Sequence, residues 1–509
     1  MADRTFLNLW SYPNLFIDRK QGGKGDGKEL CDLLVMCGDD IIIFSDKSIE
    51  WPGGSDFETI WSRWYRRAVE KSVAQIAGAE RWLAQFPDRI FLDPACTRKL
   101  PFALPPIDRR RVHGVIVALG AREACAAQYP GSTGSFLVTP DLKGPQHLDP
   151  ASPSFLPFGI GDVRPEGSFI HVFDDRALDL VMSELDTLID FTEYLTRRER
   201  IIRSGHLLPV TGEEELLGYY MTLERPDETH DFVKPDGGEW QEGERLLIPE
   251  GTFAGLANHR SYKAKKQADE ISYVWDRLIE QFSNNILAGT SVHVFGEDLD
   301  AAVAEQALRT LALEPRVQRR LLGEGLIYAM RKAEELATDR FVRVALPGPH
   351  SADRSVGYVY LILAYPKIKL AGGYDQYRKV RTNMLHAYCL FTLSENRQLT
   401  RIAGMGFGAS PKVTGRQGGS EDMLALEVHE WTPELEAQVK ELREKFDVMD
   451  PNRVVKSTMS TDEYPAPSPL PPKRKKKTLT EAEVAEQKAS KSLRKQDRVW
   501  REKQKRTPQ

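Results

Sequence analysis

The stretch GKELCDLLVMCGDDIIIFSDK, residues 27–47, decides the fold. An apolar run covers residues 30–36 and a second covers 41–44, with three consecutive isoleucines. Between them, Cys37-Gly38-Asp39-Asp40 supplies the residue types that tolerate a tight reversal. The pattern predicts a β-hairpin. Both runs are nearly continuous in apolar residues, so it also predicts strands buried on both faces of a sheet. Yet Asp32 sits inside the first strand and Ser45-Asp46-Lys47 closes the second. A carboxylate in a buried strand is costly unless it is paired or binds a metal, and that conflict marks a candidate site.

A carboxylate on one strand followed by carboxylate-x-Lys on the next resembles the restriction-endonuclease-like nucleases, the PD-(D/E)XK superfamily. The nuclease-related domain is the nearest variant: Glu29-Leu30-Cys31-Asp32-Leu33-Leu34-Val35 is similar to its Glu-Ile-Asp-Leu-Leu-Val strand, with one extra residue between the acids. Phe44-Ser45-Asp46-Lys47 is similar to its strand ending in Glu-x-Lys. The resemblance covers residues 27–85. It implies an α/β fold with a restriction-endonuclease-like mixed sheet and flanking helices. It also implies a Mg²⁺-dependent hydrolase of nucleic acid, serving DNA processing or defence.

The chemistry accounts for the residue types. Mg²⁺ is held by one or two carboxylates together with water and phosphate, and it polarises the phosphoryl oxygen and generates the nucleophile. A lysine beside it positions water and offsets charge. Asp32 is the expected metal ligand and Lys47 the expected water-positioning group. Ser45 stands where the family has its second acid, which leaves Glu29 or Asp46 as the second carboxylate. Asp46 is the neighbouring residue, but strand alternation points it to the opposite face. Glu58 and Glu70 of the following helix are further candidates. The competing readings are an ordinary structural ion pair between Asp32 and Lys47, or a fold that has lost its metal and survives as a nucleic-acid-binding or scaffold module.

Residues 57–85 predict one long helix, with Trp61, Trp64, Tyr65, Ala68, Val69, Val73 and Ile76 on its buried face. The same helix presents Arg63, Arg66, Arg67, Lys71 and Gln75. In the superfamily the helix after the catalytic strands often carries a Gln facing the site, and Gln75 looks similar, which gives it a catalytic role beside Asp32 and Lys47. Arg67, Lys71 and Gln75 are spaced i, i+4 and i+8, so the stripe is a candidate for a phosphate backbone. A solvated helix face is the plainer reading of the arginines.

Length and composition suggest two or three domains. The five cysteines contain no CxxC pair, which argues against a zinc site or a disulfide framework and for reduced thiols in a cytoplasmic protein. No signal peptide and no membrane-spanning run is expected. No G-x-x-x-x-G-K-[ST] occurs, so ATP-driven motion would need another protein.

Residues 1–205 read as the nuclease-like α/β domain. It includes a strand and turn within 4–20, a mobile basic loop at 21–28, strands at 89–92, 114–118, 135–138 and 169–173, an ordered excursion at 139–168, and a helix at 178–197. Residues 206–337 read as a mainly helical segment, with helices at 213–223, 261–284, 299–311 and 316–337. His230, His259 and His293 stand there without metal-ligand spacing. Residues 338–450 read as a second α/β unit. Its expected strands are 341–346, 358–364, 388–393, 401–406 and 423–429, and its helices 374–385 and 433–446. Gly404-Met405-Gly406-Phe407-Gly408 reads as a turn or bulge, and Arg378, Lys379 and Arg381 as surface residues.

Residues 451–509 read as a Pro-rich linker and a basic tail. From 473 onward there are fourteen Lys/Arg against five Asp/Glu, a net +9, and the whole chain carries −4, so the rest carries −13. Lys473, Arg474, Lys475, Lys476 and Lys477 open this tail. Releasing phosphate counterions favours nucleic acid as its partner. A tail that docks on the acidic body is the alternative.

Overall fold

The computed structural model describes residues 2–18, 27–222, 230–289, 301–364, 373–409, 421–446, 448, 455, 457 and 459–466. Lys473, Arg474, Lys475, Lys476 and Lys477, His293 and most of the 21–28 loop lie outside the described residues.

The hairpin forms as its pattern dictates. β1 (Ser11–Ile17), β2 (Lys28–Cys37) and β3 (Asp40–Ser48) make an antiparallel meander. The β2–β3 register runs from Leu33 opposite Phe44 to Cys37 opposite Asp40, leaving Gly38 and Asp39 as a two-residue loop. Gly38 has φ +64°, the conformation that a glycine first in such a loop provides. Leu34, Val35, Ile41, Ile42 and Ile43 are at most 1% exposed. Burial on both faces is therefore real, and each such side chain contributes about 1.5–3 kcal/mol.

β4 (Ile90–Phe91), β5 (Arg111–Leu119), β6 (Leu137–Lys143), β7 (Gly159–Asp162) and β8 (Ile170–Phe173) follow. Six of these strands make one mixed sheet in the order β4-β1-β2-β3-β5-β8, with β5 parallel to β3 and β8 parallel to β5. β6 and β7 pair separately within the excursion. The crossover from β3 to β5 carries the long helix. It runs as α-helix over Phe57–Tyr65, as a π turn over Arg66–Glu70, and as α-helix again over Lys71–Gln85. Trp64 fixes it: its indole N–H is shared between Ile49 O at 3.1 Å and Leu119 O at 3.2 Å, just past the ends of β3 and at the end of β5.

The helix expected at 178–197 is two helices, Asp175–Glu184 and Leu188–Arg203. Thr187 caps the second by accepting from Asp190 N at 3.2 Å, and Arg316 holds the break at Asp186 through a 2.7 Å bond. The expected helix at 261–284 is likewise divided by a 3₁₀ turn at Glu270–Ser272. With Glu213–Thr222, Ala301–Ala312 and Arg316–Glu335, this middle region is mainly helical.

β9 (Arg340–Ala345), β10 (Val356–Leu363), β11 (Arg401–Gly408) and β12 (Asp422–Glu427) form a second sheet in the order β12-β11-β10-β9. β10 and β11 are parallel and are joined through Gly373–Glu395, a 23-residue helix. Three expectations are corrected here. Residues 388–393 belong to this helix and not to a strand. The glycine run lies in β11, where a Cβ on Gly404 would stand 2.5 Å from Cys389 Sγ; the glycines let the helix close on the sheet. Arg381 is fully buried and bonds Asp422 at 2.6 Å, while Arg378 bonds the same carboxylate at 2.7 Å. No described helix is long and apolar enough to cross a membrane.

Candidate active site

The β2–β3 pairing ends with Leu33 opposite Phe44, and strand alternation one residue beyond it puts Asp32, Ser45 and Lys47 on one face of the sheet. Asp32 Oδ2 accepts from Lys47 Nζ at 3.3 Å and from the Asp46 backbone N–H at 2.7 Å. The two side chains are about a quarter exposed, 24% for Asp32 and 29% for Lys47, so solvent reaches the pair.

A β-bulge brings in Glu29. On β1, Leu15 pairs with Cys31 but Phe16 pairs with Glu29, so Leu30 is the extra residue on β2. A bulge interrupts the alternation of faces. The residue that separates the acids more widely than in the resemblance is absorbed there, and Glu29 returns to the face of Asp32. The electrostatics agree: partial burial, then the charge of Asp32 and a hydrogen bond shared with it, push the Glu29 carboxyl up, while Lys47 pulls it down. Asp46 is also raised, first by desolvation and then by Asp32. Its contact with Asp32 is made by its main chain, and its own side chain follows the opposite, exposed face.

Ser45 is fully buried, and its hydroxyl donates to Gln75 Oε1 at 3.0 Å. Gln75 therefore stands over the hairpin, bonded to Ser45. The other acids named from the sequence are placed elsewhere. Glu70 pairs with Arg66 at 4.0 Å, and Glu58 is exposed in the first helical turn.

The π turn shapes the basic stripe. An i, i+4 series on a regular α-helix drifts by about 40° per step. Over 66–70 the helix widens, with Lys71 N–H bonding Arg66 O, and the wider turn takes up that drift. Arg63, Arg67 and Lys71 are consequently all exposed in one line ending at half-buried Gln75, while Trp64, Ala68, Ser72 and Ile76 stay buried. Among the described residues Arg63, Arg67 and Lys71 make no ion pair within 4.0 Å, in contrast to Arg66. Sequence spacing already pointed to Arg67 and Lys71, and one step back along it leads to Arg63.

At the far end of β3, Asp40 is 3% exposed and takes two bonds from Arg111, at 2.8 and 2.6 Å, and one contact from His113 at 3.0 Å. These bonds hold the Asp40 carboxyl below its usual range against the opposing effect of burial. The cluster braces the hairpin. Sequence reading gave no signal for it, because its members lie more than 70 residues apart and meet only through the parallel pairing of β3 with β5.

Compared with family models, curated proteins and solved structures, the chain finds no match in any of the three. Among the described residues there is also no group of three or more His, Cys, Asp or Glu arranged to hold a metal. Two carboxylates on one face, each reachable by solvent and bearing on the other's charge, are a donor set that a hard divalent cation accepts.

Proposed function

We propose that the hairpin is the active site of a metal-dependent nuclease of the restriction-endonuclease-like PD-(D/E)XK class, hydrolysing phosphodiester bonds in nucleic acid and serving DNA processing or defence. The bulge at Leu30, which sets Glu29 beside Asp32, is the observation that carries this reading. It supplies the second acid that Ser45 does not. Asp32 and Glu29 would hold Mg²⁺, which supplies Lewis-acid polarisation of the phosphoryl group. Lys47, now paired with Asp32, orients water and offsets negative charge at phosphorus. Gln75 fixes the edge of the site through Ser45, and Arg63, Arg67 and Lys71 guide the phosphate backbone toward it. Asp46 contributes its N–H to the orientation of Asp32.

The test is cleavage of plasmid and single-stranded DNA with Mg²⁺ or Mn²⁺ by wild type, Asp32→Asn, Glu29→Gln and Lys47→Ala. Each substitution is expected to slow cleavage about a hundredfold or more. Activity that survives both carboxylate changes would exclude the hairpin as the site.

A second reading rests on the burial of Ser45 and its closure by Gln75: a nuclease fold retained as a nucleic-acid-binding or scaffold module. It predicts no cleavage with either metal, together with salt-sensitive DNA binding that is lost on deleting residues 473–509.

A further inference from the structure

Residues 461–464, Thr-Asp-Glu-Tyr, belong by composition to a linker, yet five residues from distant parts of the sequence close on them. Arg320, 1% exposed on its helix, donates to Thr461 Oγ1 at 3.0 Å, to Asp462 O at 3.0 Å and to Glu463 O at 3.2 Å. His350 Nε2 donates to Thr461 O at 3.0 Å. Glu463 accepts from His230 Nε2 at 2.7 Å and faces Lys265 Nζ at 3.6 Å. Tyr464 donates its hydroxyl to Met221 O at 2.6 Å.

This is a built socket. Lys265 and Arg320 are both buried and both bond the Asp269 carboxylate, at 2.8 Å from Lys265 and 2.5 Å from Arg320, and the charge of half-buried Glu324 also bears on Arg320. Asp190 lies close by, but its own bonds go to Thr187 and to the Arg316 N–H. Lys265 shares its Asp269 partner with Arg320 and faces the Glu463 carboxylate as a second anion at 3.6 Å. Backbone recognition by Arg320 and His350 adds direction, and the tyrosine hydroxyl fixes the far end.

We propose that His230, Lys265, Arg320 and His350 form a recognition site for an acidic peptide segment with a tyrosine directly after its glutamate, and that the occupant is this chain's own residues 461–464. The segment is a clasp that anchors the chain in cis, at the point where the body ends and the tail begins. This inference is independent of the reading of the hairpin.

A labelled peptide of residues 459–466, MSTDEYPA, titrated into the full-length protein, tests it. In wild type the tethered segment acts at millimolar effective concentration and excludes the peptide. Glu463→Ala weakens the clasp and leaves the socket intact, so the peptide should bind that variant at least tenfold more tightly than wild type. Tyr464→Ala, which alters the clasp at its other end, should behave alike. A peptide with Gln in place of Glu463 should bind either variant at least tenfold more weakly than the parent peptide. Equal binding to wild type and both variants, or equal binding of the two peptides, would overturn the proposal.

Discussion

Ser45 Oγ and Gln75 Oε1 meet at 3.0 Å across the junction of β3 and the long helix. Ser45 is wholly enclosed, so the bond can be replaced only by a group that the protein itself provides.

Gln75→Leu therefore leaves the buried hydroxyl without this acceptor. Urea unfolding should show a loss of about 1–3 kcal/mol. Adding Ser45→Ala should return part of it, because the two residues interact directly and their effects do not add.

Glu29 gives a pH-dependent prediction. Its carboxyl is raised by partial burial and by Asp32. Such a group favours the folded state below its unfolded-state value, and that contribution is lost as pH rises through the raised folded value. A divalent cation bound to the ionised pair works in the opposite direction. Thermal unfolding should show a larger stabilisation by Mg²⁺ at pH 8 than at pH 5, and Glu29→Gln should remove most of the difference. Equal Mg²⁺ shifts at both pH values would count against a cation at this pair.

The basic stripe is tested by salt. Arg67→Ala and Lys71→Ala should each weaken binding of duplex DNA without changing sequence preference. Each should also reduce the slope of log K against log salt by about 1. Fluorescence anisotropy from 50 to 200 mM salt measures both. Unchanged slopes would leave these residues as a solvated face.

Glu314 provides a test away from the site. It is buried, accepts from Tyr358 at 2.6 Å and from Ala352 N at 3.1 Å, and desolvation raises its carboxyl to about 7. Its contribution to stability is full below the ordinary glutamate value and falls as pH rises to about 7. Glu314→Gln keeps an acceptor there and cannot ionise. The variant should gain stability relative to wild type across that window and hold the gain above it, as followed by denaturant midpoints at pH 4.5, 6 and 8.

The hairpin was legible because its signals are local: Ile41, Ile42 and Ile43, a glycine at the reversal, and acids where apolar residues belong. The long helix was legible in extent for the same reason, but its π turn was not. Residues 388–393 misled because the helix that holds them packs between a sheet and the Pro433–Phe446 helix. Burial of Tyr388, Cys389, Leu390, Phe391 and Leu393 erases the polar face by which a helix is recognised. The glycines of β11 imitate a turn because the reason for them is a distant side chain, Cys389. Glu29 was named as a candidate from type and proximity. What sets it beside Asp32 is pairing with β1, a long-range property that its own neighbours in sequence do not encode.

The π turn has one more consequence. Upstream of it, Trp64 ties the helix to Ile49 and Leu119; downstream, Gln75 meets Ser45. The turn thus sets the rotational phase between two fixed points, much as a shim sets two gears. Losing a single residue anywhere in 66–70 would turn the downstream half by about 100°. Gln75 would swing away from Ser45, although every residue of the hairpin had stayed the same.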